Sequence, residues 1–161
     1  MSRDHAQWVL PVSLLAALLL GLLPLPEMLA PLRPYWVALV VAFWVLETPE
    51  RAGMGFAFVV GIVADLAFGS LLGEQALRLV VMAFIIQRFR ARMRFFPVSQ
   101  QALAIGALLV NDRVIAMALH LVLGVQPLPW SYWIAPLLGM LLWGPVYVAL
   151  DALRVGAWRR R

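Results

Sequence analysis

The chain has 161 residues, 64% of them hydrophobic, whereas soluble domains run at roughly 45–50%. A soluble chain this short has too much surface for its volume to hide that apolar content, so lipid must cover the rest. The formal net charge of +5 would suit a nucleic-acid partner, but in so apolar a chain arginines on cytoplasmic loops account for it and no nucleic acid is expected. The absence of cysteine excludes disulfides, thiolate nucleophiles and cysteine-ligated metals.

Six apolar segments follow one another, and each reads as a helix because the runs are continuous rather than alternating with period two. The first covers residues 8–25 and closes at Pro24 and Pro26. Its flank Met28-Leu29-Ala30-Pro31 has no small-x-small cleavage pattern, so a retained helix is expected. The second, residues 35–47, is entered through Pro34 and closed by Pro49. It is short for a crossing, which predicts a segment that is little tilted, half-buried or partly re-entrant. The third covers residues 53–72, the fourth 75–89, the fifth 101–123 and the sixth 132–153. Together they predict one all-α transmembrane domain of six helices.

Arginine placement gives the orientation. With both termini in the cytoplasm, ten arginines lie inside (Arg3, Arg51, Arg88, Arg90, Arg92, Arg94, Arg154, Arg159, Arg160 and Arg161) and only Arg33 and Arg78 lie outside. Arg113 falls within the fifth segment. Trp130, Tyr132 and Trp133 suit the outer headgroup belt and Trp158 the inner one.

Gly53, Ala57, Gly61, Asp65, Gly69 and Gly73 recur every four residues along the third segment. Five of the six are small, so a neighbouring helix, or the helix of a partner, can approach closely. Asp65 has two open readings: a substrate, ion or proton site, or a hydrogen bond that locks helices together. The fifth segment adds Asn111, Asp112, Arg113 and His120. Asp112 and Arg113 point about 100° apart on a helix and are poorly placed to satisfy each other, so Arg113 is expected to meet Asp65 or Asp112 through another helix. His120 alone cannot form a metal site.

The basic stretch Arg88, Arg90, Arg92 and Arg94 reads as a cytoplasmic loop that anchors at the headgroups or docks an acidic partner. Glu47 or Glu50 is expected to pair with Arg51 in the turn after the second segment. Neither a base–nucleophile pair nor a phosphate or dinucleotide fingerprint is present, so no catalytic residue and no cofactor are assigned.

The ordered set Arg33-Pro34-Tyr35-Trp36, Phe43-Trp44, Thr48-Pro49-Glu50-Arg51, Gly61, Asp65, Gly69-Ser70-Leu71-Leu72-Gly73, Gln75 and the arginines of residues 88–94 resembles the rod shape-determining MreD family over about residues 8–155. Within it Arg33, Pro34, Trp36, Trp44, Pro49 and Arg51 carry the opening motif. Tyr35 stands where an acidic residue is expected, Gln75 where a histidine is, and Asp112 where a neutral amide is. The resemblance implies a non-enzymatic subunit of the elongation complex in the bacterial inner membrane. It implies direct binding to MreC, and work alongside MreB, RodA and RodA's partner transpeptidase. It also implies a bundle like the substrate-binding subunits of energy-coupling-factor transporters. Two rivals are a transporter subunit that binds a small molecule in a pocket lined by Asp65, Trp44 and the fifth-segment polar group, and a membrane enzyme acting on lipid-linked precursors.

Overall fold

The computed structural model describes residues 3–159, with side chains over 8–156. The side chains of Arg3, Trp158 and Arg159, and all of Arg160 and Arg161, lie outside the described residues. Six α-helices follow in order: α1 (Arg3–Leu22), α2 (Trp36–Glu47), α3 (Met54–Phe68), α4 (Glu74–Met93), α5 (Val98–Val122) and α6 (Ile134–Arg159). Short 3₁₀ turns at Glu27–Leu32 and Trp130–Trp133 lead into α2 and α6, and no strand occurs among the described residues.

The core is α2. From Trp36 to Leu46 its sequence carries no charged side chain, and Val37 through Glu47 are all buried. A helix apolar on every side has to be covered on every side; α1, α4 and α6 do most of that, with α5 touching it more lightly. The expectation of a half-buried segment is therefore corrected. Twelve residues rise only about 18 Å, short of a bilayer core of about 30 Å, but this helix is solvated by protein rather than by lipid. Trp44, at 3% exposure, places its indole N–H 2.9 Å from Ser13 Oγ of α1, so the one polar group on its ring is satisfied.

The α3–α4 hairpin is the most extensive helix pairing, followed by α5 with α6. Gly61 explains the first: a Cβ there would lie 2.2 Å from Ala76 Cα, so the two backbones meet where no side chain fits. Gly106 and Gly139 serve α5 and α6 differently, making room for the side chains of Met140 and Leu109. The small-residue pattern does not run along one helix to Gly73, as expected. Gly69 and Gly73 have φ of +64° and +96°, a left-handed backbone that glycine adopts readily, so α3 stops at Phe68 and a tight turn delivers the chain into α4.

Outside this core the surface is apolar. Leu66, Val122 and Leu141 are each at least 70% exposed, and Phe58, Val59, Leu103 and Leu121 more than half, far beyond the scattered apolar residues of a soluble surface. Three helical stretches, Glu27–Glu47, Val98–Val122 and Trp130–Gly156, are long and apolar enough to cross a membrane. The helix α4 is long enough but carries Glu74, Arg78, Arg88, Arg90 and Arg92. It runs well past residue 89, so the arginines at 88, 90 and 92 lie on its last turns rather than in a loop, with Arg94 as its C-cap.

Candidate functional site

Polar side chains gather at the two ends of α2. At its start, the bend through Arg33, Pro34 and Tyr35 brings the chain from α1 into the core. Arg33 donates from Nη1 to Gly21 O at 2.8 Å and from Nη2 to Leu23 O at 2.5 Å, covering carbonyls at the end of α1 that lack helical partners. The Tyr35 hydroxyl donates to Gln75 Oε1, and Arg78 lies over the Tyr35 ring, its Cζ 5.0 Å from the centroid.

Arg78 is the centre of this cluster. Its Nε and Nη2 bond the two oxygens of Asp112 at 2.9 and 2.5 Å, and its Nη1 reaches Glu74 Oε1 at 3.3 Å. Both members of the Arg78–Asp112 fork are more than nine-tenths buried, the geometry in which an arginine matches a carboxylate best. His120 Nε2 lies 3.7 Å from the same Glu74 oxygen, and its Nδ1 is 3.0 Å from Gln126 O. Arg78, assigned to the outer side by the arginine count, is buried inside the bundle, where it pairs with Asp112. Arg113 was expected to meet Asp65 or Asp112 and does neither. It sits over the Tyr132 ring at 5.5 Å, and no described residue forms an ion pair with it. Asn111 is half-buried beside this cluster and makes no side-chain hydrogen bond within it.

Asp65 belongs to a different arrangement. Its carboxylate, 1% exposed, accepts from Ser70 Oγ at 2.7 Å, Gly73 N at 2.7 Å and Gln75 N at 2.9 Å. It thus caps the start of α4, where unpaired N–H groups and the helix dipole stabilise an anion. These bonds tie the end of α3 to the start of α4. The pocket that the transporter reading places between Asp65, Trp44 and the fifth helix is not found among the described residues, where the hairpin engages Asp65 and Ser13 engages Trp44. The cavity present at this end measures about 360 Å³ and is lined by Arg33, Tyr35, Trp36, Gln75, Arg78, Arg113 and Tyr132 among others.

At the other end of α2, Glu47 is the buried group. It accepts from Tyr147 Oη at 3.2 Å and pairs with Arg154 at 3.0 Å and Arg94 at 3.9 Å. Arg90 Nε donates to Leu46 O at 2.7 Å, a cation on the C-terminal carbonyls of α2. The expected pairing of Glu47 or Glu50 with Arg51 is replaced by these longer-range contacts; Arg51 is exposed, in the turn after Pro49. The basic stretch therefore divides: Arg90 and Arg94 reach the end of α2, while Arg88 and Arg92 are exposed.

Sequence reasoning missed Tyr35, Glu74, Gln75 and Arg78 at one end and Tyr147 and Arg154 at the other. A buried Asp112 needs a cation, and Glu74 and Arg78 are spaced i, i+4, so these two facts together pointed to α4. Three positions noted as departures from the family pattern, Tyr35, Gln75 and Asp112, meet in one cluster around Arg78.

A family model described as rod shape-determining protein MreD matches residues 2–152. The rod shape-determining protein MreD of Haemophilus influenzae (strain ATCC 51907 / DSM 11121 / KW20 / Rd) is 28% identical over 154 residues, which is 95% of this chain and 95% of that protein. No solved structure matches the chain.

Proposed function

The chain belongs to the rod shape-determining protein MreD family, and from that premise we propose that it is a non-enzymatic inner-membrane subunit that binds MreC. In this reading it helps couple MreB filaments to RodA and its partner transpeptidase during side-wall synthesis. The observation that carries the reading is the family match across residues 2–152, on a chain whose outer helical faces expose many large apolar side chains.

The architecture supports an assembly subunit. Buried polar groups bond one another and hold helices in place, while large apolar side chains of α3 such as Phe58, Val59 and Leu66 point outward and are free to meet lipid or a partner's membrane helix. Gly61 is already filled by α4, so an incoming helix meets these larger side chains instead. The six helices form one transmembrane domain, with Arg51, Arg90, Arg94 and Arg154 gathered at the Glu47 end and both termini in the cytoplasm. A short central helix wrapped by longer ones supports the likeness to substrate-binding subunits of energy-coupling-factor transporters; superposition on such a subunit checks it.

The test is co-purification. Full-length MreC, expressed with this chain and solubilised in mild detergent, is expected to follow it through affinity and size-exclusion steps. Separation of the two, with both still folded, would sink the reading.

A further inference from the structure

The cavity at the start of α2 has an unusual charge inventory for membrane depth. Arg33, Arg78 and Arg113 line it, and no carboxylate does. Nearby, Asp112 is bonded by Arg78, and Glu74 by Arg78 with His120 3.7 Å away. Arg113 has a ring for company but no anion, and Arg33 Nε is buried without a hydrogen-bond partner among the described residues. A cation in such a place calls for a counter-charge. Several lining groups can donate to an anion: the guanidinium forks, the Gln75 amide nitrogen and the Tyr132 hydroxyl. Arginine forks match phosphate oxygens as well as carboxylates.

A second opening adjoins it. A groove of about 410 Å³ runs between α1, α2 and α6, lined by Trp8, Val12, Ala16, Leu20, Val40 and Leu153 among others; Ser13, its one polar residue, already bonds Trp44. Trp36 lines both the groove and the arginine cavity, and Leu20 of the groove is followed on α1 by Gly21 and Leu22 of the cavity. The polar cavity and the apolar trough thus lie side by side, sharing Trp36 and neighbouring turns of α1. From Trp8 to Leu20 that trough follows α1 for about 18 Å, more than one leaflet's share of a hydrocarbon core of about 30 Å.

From this juxtaposition we infer that the chain holds one phosphate-bearing lipid, its phosphate among Arg33, Arg113 and Arg78 and one acyl chain along the α1–α2–α6 groove. A soluble phosphate would use the cavity and leave the groove empty. A transmembrane helix would cover the groove and leave the arginines unanswered. An anionic amphiphile satisfies both, and basic pockets between membrane helices select lipid phosphates by the same charge complementarity.

The experiment is native mass spectrometry of the full chain, purified in detergent, titrated with phosphatidylglycerol, with diacylglycerol of the same chains, and with inorganic phosphate. The expected result is one phosphatidylglycerol per chain, diacylglycerol bound at least tenfold more weakly, and no retained inorganic phosphate. Arg113→Gln should lower phosphatidylglycerol affinity about tenfold, the worth of about one charge-assisted contact. Ala149→Phe, which fills the groove at an exposed position, should lower it without touching the cavity; thermal unfolding checks that both variants are folded. Diacylglycerol binding as tightly as phosphatidylglycerol would overturn the proposal. So would inorganic phosphate held as well as the lipid, or affinity within twofold of wild type in both folded variants.

Discussion

The two ends of α2 present the same ingredients with different outcomes. Each buries a carboxylate beside arginine and adds a tyrosine, which bonds the carboxylate at one end and lies under the arginine at the other. At the Glu47 end one carboxylate draws on Arg154, Arg94 and Tyr147, and these cations are partly in solvent, at 25% and 47% side-chain exposure. At the Tyr35 end one arginine takes two carboxylates, itself 8% exposed, and Arg113 is left over. The first end is a tie with access to water; the second is a closed fork beside a cavity that carries surplus positive charge. Membrane depth alone does not decide whether a buried charge is structural. What decides it is whether the charges around it close on one another.

The comparison can be broken most severely at Asp112. Asp112→Ala strands Arg78 in a site it cannot leave, and removing one member of a buried pair costs about 3–5 kcal/mol; reversible unfolding in mixed micelles reads that loss. Glu47→Ala should cost less, about 1–3 kcal/mol, because Arg154 and Arg94 can turn to water. Equal losses at the two positions would erase the distinction between the ends. Arg113→Gln removes only the contact with Tyr132, so about 0.5–1 kcal/mol is expected in the same assay, a small stability effect at the residue with the largest predicted effect on lipid. The smallest change is expected for Arg88→Glu with Arg92→Glu, both exposed on α4: stability within about 0.5 kcal/mol, but weaker retention on anionic vesicles in a flotation assay.

The six helices were legible because each needed a continuous apolar run, a demand the sequence shows directly. Their ends were less so. Gly69 and Gly73 continue the spacing of Gly61 and Asp65, so the third segment reads as longer than α3; the positive φ that stops the helix leaves no mark on periodicity. Arginines 88, 90 and 92 read as a loop because charge resembles loop composition, yet they occupy the end of α4. Asp65 and Asp112 stood out as intramembrane acids, but their partners depend on which helices touch. One is answered by backbone N–H groups eight and ten residues away, the other by an arginine 34 residues away. The burial of α2 was hidden for the same reason: lipid and protein are equally good solvents for valine, and composition does not tell them apart.

The account depends most on the two ends of α2 facing opposite sides of a membrane, and the cysteine-free chain allows that to be measured. Met28, 91% exposed beside the arginine cavity's end of the bundle, and Phe95, 89% exposed just beyond α4, can each be replaced singly, Met28→Cys and Phe95→Cys, and treated in intact spheroplasts with a membrane-impermeant maleimide. Labelling at position 28 in intact cells, and at position 95 only after lysis, is the expected result. Labelling of both before lysis, or of position 95 alone, would contradict it.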